Sequence, residues 1–358
     1  MLEESITTAV PPSNQPETIH LIKNCILELL ELPALSPMYR QAILQVLSRD
    51  QSLFEEEYAS KSWSRGGLAL AIFRSTIGAS PDHEAARTQA AALLGAAVHM
   101  LYLAADVIDD VEDGDYPASE LAMPLALNAS TGLLLLAQYA LLSIPGTVIS
   151  APKLTEVVRQ FDLEMVRTCS GQHNDLQDSY VDGPMSEEQC LAIAAGKNSA
   201  MHGTYHALAA SLATDNDELI DLFRKFGSKL GLALQLQNDI SDILRPQTKH
   251  DLVDGKATLP LVYSLARDEY GPQLQQLLQD LNAHPEKELL DHAVELIWKA
   301  GGIYYTWVQS QLTGMEACDI IKKIEQYCQI DPYIYEIIQL YQVRDEELDT
   351  LLESFNPD

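Results

Sequence analysis

From Ala85 to Asp113 the chain is almost uninterrupted apolar sequence until it ends in Asp106-Val-Ile-Asp109-Asp110-Val-Glu112-Asp113. A helix that is apolar all round must be buried on every side, so the fold has to supply neighbours along its whole length. Asp106, Asp109, Asp110 and Asp113 fall at i, i+3, i+4 and i+7, which puts four carboxylates on one face of that helix. Acids this close repel one another unless cations neutralise them. Hard ions such as Mg²⁺ take carboxylate oxygens and keep positions open for phosphate. The Asp109-Asp-x-x-Asp113 segment is therefore a candidate metal–diphosphate site.

The rest of the chain supports a helical bundle around that element. Ile19, Ile22, Ile26, Leu29 and Leu30 mark a first helix, and Ser36-Pro37 opens a second. Helical periodicity continues over 66–77, 121–142, 154–177, 186–213, 217–243, 270–281, 286–300, 302–328 and 333–355. Ser186 with Gln189 has the spacing of a capping box. No alternating strand pattern or internal repeat interrupts the series. The reading is an all-α bundle in one domain spanning 18–358, preceded by a disordered, proline-bearing stretch at 1–17.

Charge narrows the function classes. Acidic residues outnumber basic ones 52 to 23, a formal net charge of −29. That argues against nucleic acid and against a polybasic membrane anchor. An anionic substrate would need metals to invert the local field. His99, and Asn128 with Ser130 and Thr131, break the longest apolar runs, so none reads as a membrane span. The scattered cysteines at 25, 169, 190, 318 and 328 read as reduced thiols in a cytoplasmic protein.

A second acidic cluster ends another apolar helix: Gln235-Leu-Gln-Asn238-Asp239-Ile-Ser-Asp242. Either cluster alone would pass for a solvated helix end. Together, at the mouth of one bundle, they can hold Mg²⁺ between them. A loop with Lys249 and Lys256 follows and would offer charge to phosphate oxygens. Gln172 and Asp175 place polar groups in an apolar helix, as a core network or as the wall of a site. Lys197 is a lone cation in an apolar stretch, either a phosphate ligand or a snorkelling lysine. His202 and His206 are i, i+4, but no third ligand follows at zinc spacing, so they read as core or wall residues. Tyr304, Tyr305 and Trp307 line a cavity or belong to the core.

In order and spacing these motifs resemble the trans-isoprenyl diphosphate synthases, the polyprenyl synthetase family. The resemblance rests on Asp109 to Asp113, Gly171-Gln172 with Asp175-Leu176, Lys197, Gln235 to Asp242, and Asp251-Leu with Gly255 to Pro260. It implies an isoprenoid-synthase-type bundle of long helices around a central apolar cavity, and a homodimer. It implies Mg²⁺-assisted departure of diphosphate from an allylic prenyl diphosphate. Asp109, Asp110, Asp113, Asn238, Asp239 and Asp242 would then hold Mg²⁺, about three ions between the two clusters. Lys197, Lys256, Lys249, Arg65 and Gln235 would contact the diphosphate, with Gln172 lining the site.

The departures from the family are as informative. Where members carry a Gly-Gly-Lys-Arg-x-Arg-Pro segment, this chain has Ser60-Lys61-Ser62-Trp63-Ser64-Arg65-Gly66, with only Arg65 retained. Tyr102 stands at a family His, and Ala118-Ser119 at an Arg-Arg pair. A second diphosphate would lack its donors, so an acceptor other than isopentenyl diphosphate is expected. The extra Asp106 and the Gly-Gln-His run resemble enzymes that prenylate a tryptophan of pheromone peptides. Prenyl-synthase-like terpene cyclases are the alternative, then a chain-elongating synthase, then a regulatory subunit. Small Ala104 and Ala105 suggest a substrate of farnesyl length or longer.

Overall fold

The computed structural model describes residues 15–50, 64–78, 83–177, 185–245, 251–284 and 286–342; the side chains of Asp175 and Lys197 also fall outside this set. Expectations placed on 1–14, 51–63, Lys249 and the tail from 343 therefore lie beyond the described residues. In chain order the helices are α1 (Gln15–Leu30), α2 (Pro37–Leu47), α3 (Arg65–Ile77), α4 (Glu84–Glu112), α5 (Met123–Leu142), α6 (Ala151–Gln177), α7 (Glu187–Ala194), α8 (Ala200–Ala213) and α9 (Asp217–Leu244). They continue as α10 (Asp251–Asp254), α11 (Leu259–Leu265), α12 (Gly271–Ala283), α13 (Lys287–Lys299), α14 (Gly302–Ile324) and α15 (Pro332–Gln342). No strand occurs among the described residues. Gln15 to Glu17, read as disordered, open α1 instead, where Pro16 is tolerated in the first turn.

Local chemistry sets the boundaries. Ser36, Ser64 and Asn216 accept backbone N–H groups at the starts of α2, α3 and α9. Ser186 and Gln189 form the expected reciprocal capping box on α7. The expected single helix over 186–213 is instead interrupted by a π-helical segment, Ala195–Ser199, between α7 and α8. Such wide turns recur at functional sites.

α4 runs through the middle of the N-terminal half, packed by α1, α2, α3 and α5. From Ala90 to Val107 it is buried nearly all round. α9 is the corresponding axis of the other half, against α8 and α14. Its upper end joins a second apolar cluster with Ile240, Ile243, Leu277, Leu281 and Ile297. α4 and α5 are long and apolar enough by length and composition to cross a membrane, yet most of α4 is buried inside the bundle.

Close approaches at glycine set two critical spacings. A Cβ on Gly227 would lie 2.6 Å from His206 Cγ and 2.7 Å from the His202 carbonyl, so the His206 ring of α8 seats directly on the α9 backbone. A Cβ on Gly171 would lie 2.4 Å from the Gly196 carbonyl, which holds α6 against the π segment.

His202 and His206 form a buried polar node with Tyr205. The Tyr205 hydroxyl and His202 Nδ1 are 2.7 Å apart, and His206 Nδ1 donates to the His202 carbonyl at 2.6 Å. Burial drives the pKa of His202 well below its ordinary value and that of His206 down to about 3. Both rings are thus neutral when folded but titrate near 6.5 when unfolded. Their contribution to stability is complete above pH 6.5 and is lost as pH falls toward about 3. In chemical denaturation from pH 6.5 to about 4, His206→Phe is expected to show a shallower loss of stability than the wild type. Equal slopes would remove His206 as a source of acid sensitivity.

Candidate active site

The ends of α4 and α9 face each other across one cleft of about 300 Å³. Asp106, Asp109, Asp110, Asp113 and Asp115 line one side; Gln235, Asn238, Asp239 and Asp242 line the other. The π segment, the end of α7, and Lys256 to Thr258 close the remaining walls. Helical spacing alone put each acid set on a face; tertiary packing turns the two faces toward each other.

A hydrogen-bonded chain fixes the α9 side. Asn198, on the π segment, donates to Gln235 Oε1. Gln235 Nε2 donates to Asp239 Oδ1 at 2.7 Å, and the Leu259 N–H donates to Asp239 Oδ2 at 3.4 Å. Asp239 is only 5% exposed, so these donors replace the water it has lost. The Cys190 thiol donates to the Ala257 carbonyl at 3.1 Å, docking the lysine loop on α7. Lys197 belongs to the same π segment, between cleft-lining Ala194 and Asn198.

On the α4 side the acids divide into two rows. Gln172 donates to Asp109 Oδ1 at 2.7 Å and to Glu112 Oε2 at 3.3 Å. Lys256 Nζ lies 2.5 Å from Asp113 Oδ2, crossing the cleft. Asp106 and Asp110 turn instead to Arg49, just beyond α2, which also reaches Glu120. Burial raises the Asp106 pKa, against the lowering effect of Arg49.

Neither Arg49 nor Glu120 was expected from sequence. They lie outside any recognisable motif, and Arg49 meets Asp110 across 61 residues of chain. The available signal was the surplus acid Asp106, which demanded a cation from somewhere.

Beneath the acids the interior is polar as well as apolar. The Arg65 guanidinium stacks 3.3 Å above the Tyr102 ring. Burial pushes the Tyr102 phenol up to about 12. His99 Nδ1 sits 3.3 Å from Ser64 Oγ, and its Nε2 is 3.7 Å from Asp50. Ala104 is fully buried and Ala105 partly so. Tyr304, Tyr305 and Trp307 are packing groups: Tyr305 stacks on Tyr263, donates to Glu187 and packs against the cluster that holds Cys190, Tyr304 meets Trp298 edge-on, and Trp307 packs against the second cluster.

The cleft suits a hard cation with oxygen ligands. Asp113 Oδ1, Gln172 Oε1 and Thr258 Oγ1 are buried with no hydrogen-bond partner among the described residues. Orphaned oxygens around clustered carboxylates are what a bound divalent ion would satisfy. Among the described residues no three acids already converge as a closed cage. Mg²⁺ commonly uses one or two carboxylates and completes its shell from phosphate and water.

A family model described as polyprenyl synthetase matches residues 63–297. The chain belongs to the polyprenyl synthetase family. This member is 27% identical over 194 residues to the tryptophan prenyltransferase ComQ of Bacillus spizizenii, covering 53% of this chain and 64% of that protein. It is 29% identical over 225 residues to a geranylgeranyl diphosphate synthase of Mycobacterium tuberculosis, covering 58% and 62%. The matched stretch thus spans a little under two thirds of each relative. The fold is also that of solved structures. A geranylgeranyl pyrophosphate synthase from Lactobacillus brevis superposes with a TM-score of 0.70 at 18% identity, over 91% of this chain and 95% of that one. A heptaprenyl diphosphate synthase from Staphylococcus aureus gives 0.68 at 16%, over 92% and 97%. This is the all-α isoprenoid synthase architecture expected from the sequence.

Lys256 is the direct test of the cation reading. Its removal leaves Asp113, 11% exposed in its side chain, without a counter-charge. Lys256→Ala is expected to lower the melting temperature in metal-free buffer, and millimolar Mg²⁺ to restore part of the loss. A deficit indifferent to Mg²⁺ would show that Asp113 does not receive the ion.

Proposed function

We propose that the protein is a Mg²⁺-dependent prenyltransferase that ionises an allylic prenyl diphosphate and passes the prenyl cation to an acceptor other than isopentenyl diphosphate. The observation that carries this reading is the facing of two acidic helix ends across a single cleft, with Lys256 between them. Asp109 and Asp113 on α4, and Asn238, Asp239 and Asp242 on α9, are the oxygen donors for Mg²⁺. Bound there, the ions would offset the charge that grows on the departing diphosphate.

The remaining residues do the positioning. Lys256 gives up Asp113 and turns to a phosphate oxygen. Lys197 and Lys249 are assigned the same role from sequence. Gln172 and Gln235 orient Asp109 and Asp239 through hydrogen bonds already present. Ala104 and Ala105 are assigned, from sequence, the role of leaving room for a chain of farnesyl or geranylgeranyl length.

The acceptor reading rests on missing cations. Ala118 and Ser119 stand in place of an arginine pair, and Tyr102, with Arg65 on its face, in place of a histidine. A second diphosphate would enter an acidic site without the donors those positions would supply. An aromatic side chain, as on a tryptophan-bearing peptide, carries no charge to desolvate. The similarity to a relative named as a tryptophan prenyltransferase favours the same class. All five cysteines are free thiols, as suits a reducing compartment.

One assay separates the possibilities. With Mg²⁺ and farnesyl or geranylgeranyl diphosphate, diphosphate release should require a peptide or indole acceptor, and chelation should abolish it. A hydrocarbon or alcohol formed from the diphosphate alone would make the protein a cyclase. Chain growth on isopentenyl diphosphate would overturn the acceptor assignment. Absence of diphosphate release under every condition would leave a non-catalytic role.

We also infer a homodimer. Leu135, Tyr139 and Leu142 on α5 form an exposed i, i+4, i+7 stripe, and Leu163 and Val166 on α6 are exposed as well. A stable pair needs about 800 Å² from each copy. Leu135→Asp is expected to shift sedimentation from dimer to monomer; a wild type that sediments as a monomer removes the dimer.

A further inference from the structure

The end of α4 carries two i, i+4 acidic pairs, and the structure treats them differently. Asp109 and Asp113 turn toward Gln172 and Lys256, on the α9 side of the cleft. Asp106 and Asp110 turn toward Arg49, whose guanidinium lies 3.3 Å from Asp106 Oδ2 and also hydrogen-bonds Asp110 Oδ2. Its Nε reaches Glu120 Oε2 at 3.2 Å, and the group sits 5.8 Å from the Tyr116 ring centroid. The Arg49 side chain is only 17% exposed.

Each pair offers a divalent ion a comparable seat of two carboxylates one helical turn apart. Both seats line the same cleft, but their carboxylates are turned differently. The Asp109–Asp113 pair meets Gln172 and Lys256. The Asp106–Asp110 pair is turned to Arg49, which also walls a second cleft of about 530 Å³ with Gln45, Ser48, Tyr116, Ser119 and Leu121. A metal seated on Asp106 and Asp110 would hold its diphosphate off the pair that faces Lys256.

We propose that Arg49 is a positioning residue that occupies the Asp106–Asp110 seat as a built-in cation, leaving Asp109 and Asp113 as the metal ligands of α4. This rests on the Mg²⁺–diphosphate reading above. A guanidinium suits the task because it stays protonated and its planar fork can engage several carboxylates at once. Glu120 supplies a third anchor that fixes the fork's orientation and ties the loop after α4 to the end of α2. Arg49 touches neither diphosphate nor metal; it acts through the acids it removes from competition.

The test is calorimetric titration of inorganic diphosphate into the full chain at fixed Mg²⁺. Arg49→Ala should weaken Mg²⁺-dependent diphosphate binding by about tenfold or more. Arg49→Ala/Asp106→Asn should recover most of the loss, because the competing seat has lost a carboxylate. A merely structural arginine would show no such recovery, and its absence, or an Arg49→Ala affinity equal to the wild type's, overturns the proposal. Where circular dichroism shows Arg49→Ala unfolded, two single variants decide. Asp106→Asn should cost much less binding than Asp109→Asn, which should cost about a hundredfold; equal losses overturn the proposal. A wild type without Mg²⁺-dependent diphosphate binding would instead remove the functional reading on which this one stands.

Discussion

Mutual repulsion among the carboxylates at the end of α4 is the constraint around which the site is arranged. Asp106, Asp109, Asp110, Glu112 and Asp113 occupy two turns at the end of a buried helix, where screening is weak. Compensation arrives from three parts of the chain: Arg49 beyond α2, Gln172 on α6 and Lys256 after α10. Gln172 comes from a helix of the bundle and Arg49 and Lys256 from the turns that follow helices, so folding and charge balance are one problem. An apolar helix could end in these acids only if neighbours brought donors to it.

On the α9 side a chain of hydrogen bonds holds the central acid. Asp239 is held by an amide side chain and a backbone N–H, and the amide is held in turn by Asn198. Hydrogen bonds to a carboxylate favour its charged form, so this chain keeps Asp239 ionised at the cleft.

Much of this was legible in the sequence because it is local. The spacing of Asp109 and Asp113, the run from Gln235 to Asp242, and the capping pair Ser186–Gln189 are set within one or two turns, where periodicity determines which residues share a face. Arg49 was not legible, because its meaning comes from residues 57 to 71 positions away, and a lone arginine after an amphipathic helix looks like solvated surface. The π segment was hidden for a different reason. Ala-Gly-Lys-Asn-Ser reads as continued helix, and only its close approach to α6 and its bond to Gln235 explain the widened turn. The buried histidines fell between: spacing allowed a zinc pair, and the nearby Tyr205 decided for a hydrogen-bonded core.

The contact between Gly171 and Gly196 joins two backbones with no side chain between them. The height of the wall at that corner is therefore a property of the main chain. Reshaping the neighbouring side chains would alter what the chamber accepts while its frame kept its dimensions, so selectivity and architecture can drift independently in this protein.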